Sequence, residues 1–394
     1  MTKDYLLTDY FFCDSIKALK KGYHLSTVRK ILSVLTVFFL LGAVSIASAK
    51  PEYVRVAIIK GADTITLGGE GLLAADEKGE PIRLNNTCYL RRGTDTVFYL
   101  DGRALRRLTV SAPGKVRING KNYRGVIDFY PADKGLLLVN ELPLEEYLVG
   151  LINCEISSLW PIEAVKAQAV IARSYAVYQK DARRTALYHL ESSVMDQVYD
   201  GVDIEDSRAV RAVQETAGEV LTYSGMVIQA FYHSNCGGHT EASRNVWGAD
   251  LPYLQGVDCR YCLNAYSASW EVTLPMKKIE LLLKAAGYKA SGLRGIRAGK
   301  TNDSGRLEDV TVSTSNGDLV IPAVVFRKTI GYSVIKSTNF SVRTRGEDLL
   351  FAGFGNGHGV GLCQWGAKQR AADGFNYREI LSYYYPGVRI EKLK

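Results

Sequence analysis

The sequence has few long apolar runs, no dense run of one charge, and little proline, histidine or tryptophan. Only residues 31–47 form a long, nearly uncharged apolar stretch, so a multi-span membrane protein is excluded. There are 10 Pro and 37 Gly in 394 residues without a three-residue period, which excludes a collagen-like chain. Apolar residues make up 47% and charged residues 23%, so wholesale disorder is excluded and a sizeable core is affordable in composition. No Lys/Arg cluster is dense enough for a nucleic-acid stripe. Beyond residue 49 the chain holds 43 basic and 38 acidic residues, a net charge of only +5. That mild field suits an anionic polymer but does not demand one. What is abundant is tyrosine, with 24 copies. Its apolar face and polar tip suit sugar rings as well as core edges.

The apolar stretch is preceded by Lys17, Lys20, Lys21, Arg29 and Lys30 and followed by Ala47-Ser48-Ala49. A basic flank, an apolar centre and an A-x-A site define a secretory signal. The apolar part is long enough that an uncleaved single-span anchor is the other reading. Either way residues 50–394 are expected outside the cytoplasm, in the cell wall or periplasm.

Residues 50–122 read as a β-rich N-terminal domain. Asn119-Gly120 lies between the alternating runs Val116-Arg117-Ile118 and Tyr123-Arg124-Gly125, a hairpin signal. Residues 123–394 read as a mixed catalytic domain. LPLEEYLVGL (142–151) has helical spacing, and residues 153–160 read as a link. Pro161 then opens a long helix in which Ile162, Val165, Ala169, Ala172 and Ala176 share a stripe. Strands are expected at 220–223, 227–232, 307–314 and 341–344, and helices at 274–288, 366–373 and 377–385. Strands and helices alternate irregularly, which favours an α+β fold.

Three ordered segments carry a resemblance. The first runs from LPLEEYL (142–148) through Glu155 and Trp160-Pro161 to KAQAV (166–170) and ARSYA (172–176). The second is DQVYDG (196–201) with AFYHSNCGGHT (230–240). The third is GHGVGLCQWGA (357–367), ending in YYYPG (383–387). Together they resemble the stage II sporulation protein D family, which includes amidase enhancers of bacterial cell-wall lysis. The resemblance implies a lytic transglycosylase acting on peptidoglycan, with Glu155 as the catalytic acid. Many family members have Pro or Ala where this chain has Cys154.

Hydrolytic glycosidases usually need two carboxylates. A lytic transglycosylase needs one, because the sugar's own C6 hydroxyl attacks and a 1,6-anhydro product forms. Glu155 suits this role if burial beside Trp160 and Ile156 raises its pKa. Glu163, in the first turn of a helix, is explained by the helix dipole, and Asp196 can cap or bind substrate. Candidates for binding glycan are Lys166, Gln168, Arg173, Tyr175, Gln197, Tyr199, Tyr232, Ser234, His358 and Gln364. His358 and Gln364 also suit bracing of the Gly-rich loop.

Cys13 precedes the export signal; Cys88, Cys154, Cys236, Cys259, Cys262 and Cys363 follow it. Cys259 and Cys262 form a C-x2-C, and His233 and Cys236 lie upstream. These four have the donor types of a closed structural zinc site, with His239 as a substitute ligand. A Cys236–Cys259 disulfide and inert buried thiols are the competing arrangements. Within the family some relatives carry a zinc near this loop and others carry no metal. The chemistry itself requires no cofactor. The competing function is a non-catalytic cell-wall binding protein that enhances a separate amidase. The third reading is a structural partner in a sporulation or division complex.

Overall fold

The computed structural model describes residues 51–266 and 268–393. The expected export signal therefore lies outside the described residues. No helix among the described residues is long and apolar enough to cross a membrane.

Alternating patterns build the first half. Tyr53–Ala62 begins exposed–buried–intermediate–buried, with Val54 and Val56 inward, the period-two signature of a half-buried strand. It pairs antiparallel with Gly135–Pro143 at the centre of a six-stranded sheet. In that sheet Leu190–Glu191, Tyr53–Ala62, Gly135–Pro143, Val126–Ala132, Leu108–Ser111 and Leu73–Asp76 lie side by side in that order. A second six-stranded sheet carries Thr87–Thr94 and Thr64–Gly68 at its centre. Its edge hairpin pairs Val116–Ile118 with Lys121–Tyr123. Asn119 (φ 50°) and Gly120 (φ 89°) both adopt left-handed conformations in its turn, as a two-residue hairpin loop of the I′ type requires. One apolar core unites the sheets: Val56, Leu67, Leu90, Phe98, Val110, Phe129 and Leu138 all belong to it.

The domain boundary expected at 122/123 falls inside the strand Lys121–Tyr123. Strands on both sides of it hydrogen-bond in one sheet, because Leu108–Ser111 pairs with Val126–Ala132. The β-rich part therefore extends to Pro143 and runs directly into the first helix. The described residues from Pro51 onward form one compact unit.

The helices are α1 (Leu144–Glu155), α2 (Ile162–Ala182), α3 (Ser207–Glu215), α4 (Ser243–Trp247), α5 (Met276–Ala285), α6 (Ala323–Ile330), α7 (Gln364–Ala372) and α8 (Tyr377–Tyr384). In α1 the residues Leu144, Tyr147, Leu148, Leu151 and Ile152 are buried, at the spacing of one helical face. The helix continues through Glu155, so residues 153–155 are not the expected link. Ile156 is extended (φ −142°) and stops it.

α2 divides two cores. Its stripe of Val165, Ala169, Ala172 and Ala176 packs into the first core with Ile162 at the edge. Its opposite face, Ala167, Val170 and Ile171, packs into a second core with Leu362, Tyr384 and Tyr385. Small alanines allow close approach on the first side. Residues 269–354 form a third cluster around Trp270, Phe326, Phe340 and Phe351, inserted between Cys262 and the Gly-rich segment. The fold is α+β, with a β-rich N-terminal region, as the irregular alternation of elements implied.

Arg173 shows what the divider demands. Its side chain is fully buried. It forks onto Glu145 at 2.8 and 2.7 Å and donates to the Glu219 carbonyl at 3.0 Å. Arg173→Met is expected to lower stability by about 3 kcal/mol, because a buried carbonyl loses its donor and the fork is lost. Urea unfolding checks this. A loss below about 0.5 kcal/mol, the range of ordinary surface substitutions, would contradict it.

Candidate active site

Glu155 closes α1, where the chain turns away and leaves the carboxylate beside three other segments. The Val198 N–H donates to its Oε1 at 2.9 Å. Tyr232 and Gln364 lie beside the carboxylate, and both favour its charged form. Desolvation is the larger influence and these three neighbours oppose it; the balance leaves the Glu155 pKa above the usual carboxylate value.

Behind these contacts stands a buried amide and phenol network. The Tyr147 hydroxyl donates to Gln197 Oε1 at 3.2 Å, and Gln197 Nε2 donates to the Tyr232 oxygen at 3.2 Å. Tyr232 accepts here, which leaves its own proton free to donate elsewhere. On the other side Gln364 Nε2 donates to Gln168 Oε1 at 3.3 Å. Gln168 Nε2 is buried without a partner. The expected residues Gln168, Gln197, Tyr232 and Gln364 are therefore gathered around Glu155. Tyr147 was invisible in the sequence pattern, since its position reads only as part of an apolar helical face.

The other expected glycan contacts are placed differently. Arg173 is enclosed in its pair with Glu145, as described above. Lys166 bridges Glu163 at 2.8 Å and Glu215 at 2.7 Å. The Tyr175 hydroxyl donates to Asp196 at 2.9 Å. Tyr199 is buried, with its hydroxyl on Asn140 at 3.3 Å. Their hydrogen-bonding capacity is committed within the fold. Ser234 contributes its carbonyl to the Trp365 N–H at 3.1 Å, which anchors the start of α7. His358 Nδ1 accepts from the Val360 N–H at 3.0 Å, and burial lowers its pKa to about 3. It is a neutral brace for the Gly-rich loop.

The second carboxylates are also occupied. Asp196 accepts from Tyr175, from Arg183 at 2.8 Å and from the Glu191 N–H at 2.9 Å. Glu163 pairs with Lys166 and accepts from the Tyr377 N–H at 2.9 Å.

The Gly-rich segment needs its glycines. Gly361 has φ 73°, and a Cβ there would stand 2.0 Å from the Phe231 carbonyl oxygen. This contact lets Tyr232–His233 pair in parallel with Leu362–Cys363, which carries Gln364 to Glu155. The Tyr385 hydroxyl fastens the same place, donating to the Phe231 carbonyl at 2.6 Å.

Four buried thiols lie next to this pairing. The sulfurs of Cys236, Cys259, Cys262 and Cys363 all lie within 4.8 Å of one another, with Cys236 and Cys262 at 3.4 Å. All are free thiols, so the Cys236–Cys259 disulfide is not formed. The expected zinc set changes by one member. His233 stands outside the cluster and Cys363 takes the fourth place. His233 Nδ1 lies 3.1 Å from the Val360 carbonyl, and its buried Nε2 has no partner. His239, the substitute ligand, places Nδ1 on the Thr240 carbonyl at 2.6 Å and is also outside. Four sulfurs around a tetrahedral zinc, with Zn–S of about 2.3 Å, would sit about 3.8 Å apart. The observed donor set and spacing fit that ion. Arg306, fully buried, donates to the carbonyls of Cys236 at 2.6 Å and His239 at 2.8 Å. It places a positive charge where a four-thiolate zinc would carry net negative charge.

Comparison with known proteins agrees with the ordered motifs. The family model for the stage II sporulation protein matches residues 132–223, the stretch that contains α1, α2 and Glu155. An uncharacterized protein of Brachyspira hyodysenteriae is 36% identical over 275 residues, covering 69% of this chain and 73% of that protein. The amidase enhancer of Bacillus subtilis is 30% identical over 327 residues, covering 71% of this chain but 45% of the enhancer. Stage II sporulation protein D of Bacillus subtilis is 26% identical over 275 residues, covering 64% of this chain and 76% of that protein. The chain belongs to the stage II sporulation protein D family.

Proposed function

We propose that the protein is an exported lytic transglycosylase that cleaves the β-1,4 bond between N-acetylmuramic acid and N-acetylglucosamine in peptidoglycan glycan strands. The observation that carries this reading is one carboxyl group whose pKa burial raises, with no second carboxylate free beside it among Glu163 and Asp196. Glu155 has a raised pKa and a backbone donor, the Val198 N–H, whereas Glu163 and Asp196 are tied into ion pairs. A hydrolase would need a second carboxylate free to activate water.

In this mechanism protonated Glu155 gives its proton to the glycosidic oxygen as the C1–O bond breaks. The N-acetyl carbonyl stabilises the oxocarbenium-like centre. The C6 hydroxyl of the same sugar then bonds to C1, and the Glu155 carboxylate accepts its proton. The acid is thereby regenerated, and the product is a 1,6-anhydro muramic sugar. The Val198 N–H holds the carboxylate through both transfers, and with Tyr232 and Gln364 nearby stabilises its charged form midway. We also propose that the four-cysteine cluster holds a structural zinc, which braces the loops and takes no part in proton transfer.

Mass spectrometry of glycan strands incubated with the purified full chain tests the reading. The expected products are 1,6-anhydro sugars. Reducing-end muramic acid would show a hydrolase. A second reading, an enhancer of a separate wall amidase, draws on the amidase enhancer among the relatives. Its signature would be release of nothing from glycan alone together with faster cleavage by an added amidase.

A further inference from the structure

Two tryptophans in the ordered motifs take no part in holding Glu155, yet they meet beside it. Trp160 follows the turn after α1, and Trp365 is next to Gln364. Their ring centroids are 5.1 Å apart. Tyr266 stands edge-on to Trp365 at 5.1 Å and is 88% exposed. The Lys368 ammonium lies 4.4 Å from the Trp365 centroid and 5.1 Å from that of Trp160. Both indoles are only half-buried. No carboxylate among the described residues pairs with Lys368.

The placement is built. Lys368 is four residues after Gln364 in α7, so the two share a helix face, and Gln364 reaches Glu155. Cys363 caps α7 by accepting from the Gly366 N–H at 3.3 Å. Cys259 and Cys262 join it in the thiol cluster and hold the loop that carries Tyr266. Tyr266 follows Cys262 by four residues and meets Trp365 edge-on. A core would have buried these rings, and a simple salt-bridged surface would have given Lys368 a carboxylate. Here tilted, half-buried indoles and a cation held over them without a carboxylate partner sit together on the helix that carries Gln364.

We propose that Trp160, Trp365, Tyr266 and Lys368 form a subsite for an acidic N-acetylated amino sugar, whose ring rests on the aromatic faces and whose carboxylate pairs with Lys368. The inference rests on the glycan-cleaving reading of Glu155. It adds that the strand is recognised by an acidic substituent, the lactyl group of muramic acid, next to the bond that breaks.

The test measures binding, so that it is independent of turnover. Full chain carrying Glu155→Gln is titrated with soluble peptide-free glycan strands and with chitin oligosaccharides of equal length, which lack the lactyl carboxylate. Lys368→Gln is expected to weaken glycan binding about fivefold, corresponding to about 1 kcal/mol for a half-exposed charge pair, and to leave chitin binding unchanged. Tyr266→Ala, safe for folding at this exposure, is expected to weaken both about three- to tenfold through lost stacking. Equal losses on both ligands for Lys368→Gln would overturn the carboxylate assignment. Unchanged affinity for both ligands with Tyr266→Ala would overturn the aromatic subsite. Failure of the cleavage reading would show separately, as native protein that releases no anhydro sugar while these binding differences persist.

Discussion

Glu155→Gln is expected to reduce release of anhydro sugars by about 10²–10⁴-fold or more, because one group serves as acid and then base. The amide keeps the shape and can still meet Tyr232 and Gln364, but it has no proton to give. Glu163→Gln and Asp196→Asn are expected to stay within about tenfold of native, since general acid catalysis is untouched. The pH response follows from the direction of the Glu155 shift. Its pKa is raised by desolvation, so the proton-bearing form persists above the usual carboxylate range and the acid step is lost as pH rises through the raised value. The same shift has a stability consequence. A raised carboxyl pKa means that the folded state holds the proton more tightly than the unfolded chain. That contribution is full below the unfolded pKa and is lost as pH rises through the folded one. Glu155→Gln is therefore expected to be more stable than native at pH 8 and to converge with it at pH 4. Thermal melts at the two pH values check this, and cleavage assays on the same samples check the acid. Native rates with Glu155→Gln would remove Glu155 from the mechanism.

The extent to which residues announced these roles depended on how local their chemistry is. The Asn119-Gly120 turn was legible because two left-handed residues between alternating strands leave little else. The alanine stripe of α2 was legible because helical period and residue size both report packing. Lys166, Arg173, Tyr175 and Tyr199 read as glycan contacts, but the fold uses them for internal pairs. A long polar side chain in a motif has the same appearance whether its partner is a ligand or, as for Arg173, a glutamate 28 residues away. Cys363 was missed as a fourth sulfur for a related reason. It follows Cys262 by 101 residues, with the whole cluster around Phe326 and Phe351 between them. Spacing rules find ligands joined by short loops; only the parallel pairing of His233 with Cys363 brings this one in. His233 is outside the set for a different reason. Although its register partner is Cys363, its ring turns to the Gly-rich loop, with Nδ1 3.1 Å from the Val360 carbonyl and the His358 ring 5.5 Å away.

Purified protein grown with zinc is expected to contain about one zinc per chain, held by four thiolates. Cys259→Ser, Cys262→Ser and Cys363→Ser are each expected to abolish tight binding, while His233→Ala retains it. This contrast separates the four-cysteine set from the His-containing set that spacing alone suggests. The expected loss on metal removal is large, because the cluster ties three distant stretches of chain: Cys236, the 259–262 turn and the start of α7. Tyr384 adds a fourth, with its hydroxyl 3.0 Å from the Cys259 sulfur. Zinc binding to a folded site adds directly to folding stability, so chelation should lower Tm by roughly 10 °C, equivalent to a few kcal/mol in a chain of this size. Loss should grow as pH falls, since protons compete for the thiolates. Removal should also cut glycan cleavage, because Cys363 caps the helix whose first residue, Gln364, lies beside Glu155. Elemental analysis, melts with and without chelator, and thiol titration decide the matter. Metal-free protein with unchanged Tm would remove the zinc. A Cys236–Cys259 disulfide found in protein purified without reductant would put a covalent staple in its place and leave Cys262 and Cys363 as buried thiols.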